Sequence, residues 1–302
     1  MRKIRFLSVS ALSMFENQPN KFFMCRLADK LLPRDPQNLA AAAGTAFDIE
    51  IKKELAKGLN LGSKVKNRFC TLPWPQPHNK YRTLNDLFLD SIEVQNRIPE
   101  IMEIGKKLFH IYIKSDLYHR TTFCDIECRS LFNLKVKVSG QEKCVPLYAI
   151  LDAIANSNYP LDFKVAGYGS GASPKQNYFC AYDEMGIPYK RDKWIKNKDI
   201  SFQDIDESWA TQGCVYGWSI GKKLFVPFPF EVHAIFIGKP KKDGTRSIII
   251  CGYHGIITEE FQKMVALRLL KAWAIINTGG DDTPWAKEEL FCEMMAYQER
   301  WF

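Results

Sequence analysis

Two carboxylates and one amine have the spacing in this sequence that best suits chemistry. Asp152 lies ten residues before Asp162, and Lys164 follows Asp162 after one phenylalanine. If both segments are strands, the side chains of Asp162 and Lys164 point to one face, while Phe163 points into the opposite packing layer. Two acids on neighbouring strands can then face one point beside an ammonium group. Such a cluster can hold a hard divalent cation and neutralise charge on a phosphate, as phosphodiester hydrolysis requires.

The same three residues allow a second interpretation. Asp152 and Asp162 can pair with Lys164 as an ordinary ion-pair network. Charged side chains on otherwise apolar strands are costly, but they are not rare at sheet edges. The strands alone do not separate the two interpretations.

The segments that carry these residues have the composition of strands. Residues 145–155 and 161–165 are apolar, and residues 156–160 between them have hairpin-turn composition. Alternation of β-branched and aromatic residues predicts further strands over 110–113, 121–128 and 134–138. A second hairpin is expected from residues 230–237 and 247–251.

Helical spacing of apolar residues predicts the elements that surround these strands. Two short helices around a turn are expected over residues 8–29, and longer helices over 40–59, 84–107, 209–220 and 259–277. This order predicts an α/β fold with a central mixed sheet flanked by helices. Without repeats or a Gly/Ser linker, residues 1–302 are expected to form one domain, with a helical insertion over 60–107 and a loop insertion over 167–205.

The length and composition are those of an ordinary globular protein. The chain has 302 residues, 46% of them hydrophobic, and a net charge of +8 that suits a polyanionic partner. No apolar run approaches the roughly 20 residues of a membrane span, so we expect no membrane partner and a cytoplasmic location. Nine scattered cysteines predict reduced thiols. Cys124 and Cys128 lie on a predicted strand, where four residues span roughly 13 Å, too far to share a metal.

At its acidic residues the sequence resembles a known family, the PD-(D/E)XK nucleases. An acid on one strand followed by Asp-x-Lys on the next is the signature of that family. The resemblance is to its RecB-like group, which includes CRISPR-associated and helicase-linked exonucleases. Three further stretches match motifs of the group in the right order: Ser8 to Phe22 (Ser-x-Ser-x-Leu-x-x-Phe-x-x-Gln-Pro-x-x-Phe), Gly44 to Asp48, and Gln212 to Tyr216 (Gln-x-x-x-Tyr).

The resemblance implies a restriction-endonuclease-like core and a function. It implies a Mg²⁺- or Mn²⁺-dependent nuclease acting on DNA, as an exonuclease or an end- or flap-processing enzyme in recombination, repair or phage DNA processing. If the chain is viral, its compartment would be the cytoplasm of a bacterial host. The catalytic residues that the resemblance implies are Asp152, Asp162, Lys164, Gln212 and Tyr216. The metal ligands that it implies are Asp48, Asp152, Asp162 and Phe163.

The sequence departs from the family pattern at two positions. Asp48 stands where the family usually has a histidine ligand; its carboxylate suits a hard cation such as Mg²⁺, and Glu50 or Glu54 on the same helix remain alternatives. Gln18 stands where the family often has cysteine, and no closely spaced cysteine cluster follows the Gln-x-x-x-Tyr motif. We therefore expect no iron–sulfur cluster.

The stretch between Lys164 and Gln212 combines positive charge with aromatic surfaces, a pairing used to bind single strands. A solvated loop is the alternative. The residues predicted to contact nucleic acid are Lys190, Arg191, Lys193, Trp194 and Lys196. For the whole chain, the alternatives to a DNA nuclease are a catalytically inactive nuclease-fold binding protein and an RNA endonuclease on the same fold, since the cluster acts on the phosphate rather than the sugar.

Overall fold

The computed structural model describes residues 3–28, 39–59, 97–156, 158–167, 175–183, 185–194, 200–240 and 246–278. Seven strands lie within these residues: β1 (Phe123–Val138), β2 (Gln141–Ala155), β3 (Tyr159–Gly167), β4 (Tyr178–Tyr182), β5 (Pro188–Trp194), β6 (Phe228–Pro240) and β7 (Arg246–Ile257). They form one sheet in the order β1-β2-β3-β6-β7-β4-β5. β3 and β6 are parallel, and the other neighbours are antiparallel.

Helices surround this sheet. The described α-helices are α1 (Val9–Asn17), α2 (Pro19–Arg26), α3 (Leu39–Gly58), α4 (Ile98–Tyr112), α5 (Asp116–Arg120), α6 (Glu207–Ser219) and α7 (Glu259–Thr278), and a short 3₁₀ helix covers Phe202–Asp204. The predicted α/β class, a mixed sheet flanked by helices, is confirmed. No described helix has the length and apolar character to cross a membrane.

The two hairpins that build the first three strands turn at residues with positive φ. β1 and β2 are joined by Ser139 and Gly140, with φ of 50° and 79°. β2 and β3 are joined by a turn in which Asn156 and Asn158 have φ of 47° and 79°. Asparagine and glycine tolerate this conformation, so their positions fix where the chain reverses. The hairpin predicted around residues 156–160 is confirmed.

Buried side chains lie on both faces of the sheet. On β6, Val232 and Ala234 contribute to the core beneath α1, α2, α6 and α7, whereas Ile235 contributes to the core beneath α3, α4 and α5. On β3, Phe163 also faces α3 and α4. The prediction that it points away from Asp162 and Lys164 is confirmed. Successive side chains on a strand alternate between the faces, so Asp162 and Lys164 face the side of α6.

Residues 110–113 are not a strand. They lie in the last turn of α4 and just after it. Their β-branched and aromatic composition favoured a strand, but Ile101, Leu108 and Tyr112 recur at helical spacing and are buried on one side of α4. Gly105 lets this helix approach α3 closely, since an added Cβ would lie 2.5 Å from the Cβ of Ala46.

The predicted loop insertion over residues 167–205 also needs correction. It contains β4 and β5, which extend the sheet beyond β7. Its charged and glycine-containing sequence resembles a loop, but β4 is stabilised by pairing with β7, and β5 by pairing with β4. The strands predicted over 121–128 and 134–138 are one continuous strand, β1. Residues 60–96 of the predicted helical insertion lie outside the described residues.

Candidate active site

Three acidic residues stand side by side on the first three strands. The register of β1 and β2 places Glu127 opposite Asp152. The register of β2 and β3 pairs Ala153 with Leu161, which brings Asp152 beside Asp162. Asp152 and Asp162 therefore converge as the sequence predicted. Glu127, which the sequence analysis did not single out, extends the row by one strand.

The backbone of Glu127 has an unusual conformation. Its φ of 47° lies in the left-handed region, which costs a residue other than glycine about 1–3 kcal/mol. Two ion pairs oppose this cost: Glu127 Oε2 lies 2.6 Å from Lys52 Nζ, and Oε1 lies 2.9 Å from a guanidinium nitrogen of Arg129. The strained residue is thus held with its carboxylate beside Asp152.

Asp152 is fixed by both of its carboxylate oxygens. Oδ1 lies 3.0 Å from Lys52 Nζ, and Oδ2 accepts a hydrogen bond of 3.0 Å from the backbone N–H of Phe163. The ring of Phe163 packs in the opposite layer, with its centroid 6.0 Å from that of Phe47. Only the main chain of Phe163 lies at the cluster, so the prediction that this residue is a metal ligand can apply only to its main-chain atoms.

Lys164 reaches two oxygen atoms on different elements. Its Nζ lies 2.6 Å from Asp162 Oδ2 and donates a hydrogen bond of 2.8 Å to Gln212 Oε1. Asp162 belongs to the same strand, whereas Gln212 belongs to α6. The amine is thus held at the place where β3 meets α6.

Two glycines let α6 pack directly on β6. A Cβ at Gly213 would lie 2.7 Å from the ring of Phe230, and one at Gly217 would lie 2.2 Å from the ring of Phe228. Larger residues would push the helix away from the sheet. Gln212 and Tyr216, one turn apart, share the face that meets the acids. The predicted Gln-x-x-x-Tyr motif therefore lies at the cluster.

Helix α3, on the face of the sheet opposite to α6, contributes a carboxylate and an ammonium to the cluster. Lys52 Nζ lies 2.7 Å from Asp48 Oδ2, one turn earlier on the helix, and also contacts Glu127 and Asp152. Of the three acids considered on this helix, Asp48 is the one whose carboxylate lies at the cluster. Glu50 and Glu54 form ion pairs with Lys53 and Lys57 instead.

Burial shifts the titration of the two aspartates that flank Asp152. Desolvation raises the pKa of Asp162 to about 8, against the attraction of Lys164 and with the added repulsion of Asp152. Desolvation likewise raises the pKa of Asp48 to about 7, against the attraction of Lys52. Near neutral pH, a proton therefore competes with any cation for these two carboxylates.

Asp152 and Lys52 remain charged. Burial alone would raise the pKa of Asp152, but Lys52 and the hydrogen bonds to its carboxylate bring the pKa below its ordinary value. Burial alone would lower the pKa of Lys52, yet the three carboxylates raise it well above the ordinary value. Burial also raises the pKa of Tyr216 well above its ordinary value, and the nearby charges of Asp162 and Asp152 act in the same direction.

Asp48, Glu127 and Asp152 have the oxygen donors that a hard cation requires. Each offers one carboxylate oxygen, and these atoms lie within 4.8 Å of one another. Ligands of one Mg²⁺ lie about 2.0–2.1 Å from the ion, so neighbouring ligands of its octahedron are about 2.9 Å apart and opposite ligands roughly 4.2 Å apart. The three oxygens would have to move inward to bind one ion together. Glu127 Oε2 is buried without a hydrogen bond and has Lys52 as its neighbouring cation.

Two members of the cluster are partly exposed among the described residues. The side chains of Lys164 and Asp152 are 26% and 18% exposed, whereas those of Asp162 and Lys52 are each 4% exposed. The amine and one carboxylate therefore reach solvent among the described residues. The buried members support them from beneath.

The predicted nucleic-acid contacts lie elsewhere on the sheet. Lys190, Lys193 and Trp194 lie on β5, four strands from β3, which at ~4.8 Å per strand is about 19 Å away. Trp194 packs on Tyr178, with ring centroids 5.0 Å apart, and donates its indole N–H to Asp116. Its side chain is nevertheless 42% exposed.

The predicted set has two further members. Arg191 lies on β5, and Lys196 lies outside the described residues. Contact of this strand with nucleic acid stays a prediction.

The sequence analysis missed Lys52 and Glu127. The signal for Lys52 was its position four residues after Asp48 on a helix, which puts both side chains on one face. The signal for Glu127 was an acid in an apolar strand segment next to the strand of Asp152. Neither signal is specific without knowing that α3 packs against β1 and β3.

Comparison with models of protein families, with curated proteins and with solved structures finds no match to this chain.

Proposed function

We propose that this chain is a Mg²⁺- or Mn²⁺-dependent nuclease that hydrolyses phosphodiester bonds of DNA. The observation that carries the proposal is the convergence of Asp152, Asp162 and Lys164 at one point, with Gln212 holding the amine of Lys164. The motif resemblance to PD-(D/E)XK nucleases supports the same assignment. An ordinary ion-pair network explains less, because it gives no reason for a third acid and a second lysine in the same cluster.

The residues available to hold the divalent cation are Asp48, Glu127 and Asp152, with Asp162 beside them. When bound, the cation supplies Lewis acidity that polarises the phosphate and acidifies an attacking water. Glu127 and Asp162 are buried, which strengthens their electrostatic interactions relative to those in bulk water.

Lys164 is the residue that meets the substrate in this proposal. Its ammonium, partly exposed, is placed to contact a non-bridging phosphate oxygen and to neutralise the charge that develops as the bond breaks. Gln212 fixes its direction through a neutral hydrogen bond, which keeps the amine in place without removing its charge. Tyr216 stays protonated beside the acids because burial raises its pKa, so its hydroxyl can still donate a hydrogen bond.

DNA is the proposed substrate, and cleavage from ends is the proposed mode. The net charge of +8 favours a polyanion but does not distinguish DNA from RNA. The resemblance to exonucleases supports both choices.

The experiment is incubation of the full chain with labelled linear duplex DNA, circular duplex DNA, single-stranded DNA and RNA. Each substrate is tested with Mg²⁺, with Mn²⁺ and with chelator. Metal-dependent shortening of linear DNA, with the circle intact, is the expected result. Cleavage of RNA alone would reject DNA as substrate, and no cleavage of any substrate with either metal would reject the nuclease function.

A further inference from the structure

A lysine ammonium lies among the three carboxylates that are best placed to bind a metal. Lys52 Nζ is 2.7 Å from Asp48 Oδ2, 2.6 Å from Glu127 Oε2 and 3.0 Å from Asp152 Oδ1. The side chain is 4% exposed, so little water competes for these contacts. Among the described groups of acids, cysteines and histidines, these same three carboxylates form the one set whose ligand atoms lie close enough to share an ion.

We propose that the ammonium of Lys52 occupies the metal site in the metal-free protein, and that a divalent cation binds there by displacing it. In the metal-free protein the ammonium neutralises Asp48, Glu127 and Asp152 and holds their oxygens together. The inference rests on the proposed function only in taking these oxygens as ligands of a metal.

Electrostatics explains why the ammonium is needed. Three carboxylates brought within 4.8 Å of one another repel strongly, and each loses hydration on burial. One ammonium with three N–H donors can serve all three acids. Removal of Lys52 would leave buried, unpaired charge, which is among the most destabilising changes in a protein interior.

The ammonium and the metal cannot share this space. An ammonium nitrogen sits 2.6–3.0 Å from the same three residues that would approach a Mg²⁺ to about 2.0–2.1 Å. Both ions would lie within the same ring of oxygens and repel each other. The flexible four-carbon stem of lysine allows the amine to leave while the backbone of α3 stays in place. Asp48, whose side chain is 32% exposed, marks the open side of the ring.

Displacement predicts that Lys52 weakens metal binding. The first test compares Mn²⁺ binding by wild type and Lys52→Met, with free Mn²⁺ measured by electron paramagnetic resonance. The variant should bind Mn²⁺ at least about tenfold more tightly, because no ammonium has to leave. Lys263→Met, an exposed lysine paired with Glu259 on α7, is the matched control and should bind as wild type does. Equal or weaker binding by Lys52→Met would overturn the inference, as would the absence of Mn²⁺ binding in both proteins.

A second measurement uses the wild type, so it does not depend on a stable variant. The protein is treated with an amine-acetylating reagent, and modification of Lys52 is followed by mass spectrometry. Lys52 should be protected in chelator and should react faster with saturating Mn²⁺, while the rate at Lys263 stays constant. Continued protection of Lys52 with Mn²⁺ bound would contradict displacement.

These outcomes separate this inference from the nuclease function. Faster acetylation of Lys52 on Mn²⁺ binding, without cleavage of any nucleic acid, would support displacement and reject the function. Cleavage of DNA with Lys52 still protected would support the nuclease function and reject displacement.

Discussion

Gln212 holds the amine of Lys164, with Nζ donating to Oε1 across 2.8 Å. The two residues come from different layers, one from helix α6 and the other from strand β3. Gly213 and Gly217 let α6 lie directly on the rings of β6, and this close packing sets the position of Gln212. The direction in which Lys164 points is therefore decided by how a helix packs on the sheet.

Gln212→Met should lower kcat by about ten- to hundredfold and leave KM nearly unchanged. The substitution keeps the length of the side chain but removes the acceptor, so the amine of Lys164 loses its direction. Steady-state kinetics on labelled DNA measures both constants. Gln141→Met, at an exposed position at the start of β2, is the control. An unchanged kcat in Gln212→Met would exclude this positioning role.

Asp48→Asn and Glu50→Gln should differ in metal affinity. Asp48 contributes a carboxylate to the cluster, whereas Glu50 pairs with Lys53 away from it. Asparagine at position 48 should weaken Mn²⁺ binding by about ten- to hundredfold, and glutamine at position 50 should leave it unchanged. Calorimetric titration of each variant gives the comparison. Equal loss in both variants would mean that the helix as a whole, and not the Asp48 carboxylate, governs binding.

The hairpin and its acids could be predicted from sequence because the information is local. The turn around Asn156 and the alternation of Asp162, Phe163 and Lys164 fix which side chains share a face. Register then brings Asp152 beside Asp162 without further information.

The contribution of α3 could not be predicted in the same way. Lys52 lies 75 residues before Glu127 and 100 before Asp152, and only the packing of the helix on the first strands brings them together. The motif that points to Asp48 does not extend to Lys52, one turn later on the helix. Strands β4 and β5 were missed because their stability comes from pairing, β4 with β7 and β5 with β4, rather than from their own composition.

Without metal, the protein should become less stable as pH rises from about 4 to about 8. The pKa of Asp162 is about 8 in the folded chain and 3.8 ordinarily, so the folded state binds an extra proton between these values. The free energy of unfolding then falls with rising pH. In Asp162→Asn this contribution is absent, so the variant should resemble wild type at pH 5 and exceed it in Tm at pH 8.5.

Thermal unfolding in chelator across this pH range tests the prediction. Glu103→Gln, an exposed residue on α4, should follow the wild-type curve. Parallel curves for wild type and Asp162→Asn would show that Asp162 ionises normally in the folded chain.

A double variant, Lys190→Ala with Lys193→Ala, tests the predicted role of β5. If these exposed lysines contact phosphates, the DNA association constant of the double variant should depend less on salt. The magnitude of the slope of its logarithm against the logarithm of salt concentration should be smaller by about 1 to 2. The maximal cleavage rate should not change, because β5 lies about 19 Å from β3. DNA binding measured by fluorescence anisotropy at several salt concentrations gives the slope. An unchanged slope and affinity would remove β5 from the DNA-binding surface.

The most direct test of the central claim is the initial rate of Mg²⁺-dependent cleavage of one end-labelled linear duplex. Wild type, Asp162→Asn, Lys164→Met and the exposed-site control Glu103→Gln are compared at equal concentration, with and without chelator. We predict chelator-sensitive cleavage by wild type and Glu103→Gln, and a loss of at least about a hundredfold in the other two variants, with DNA binding largely kept. Cleavage by Asp162→Asn and Lys164→Met at the wild-type rate would contradict the account.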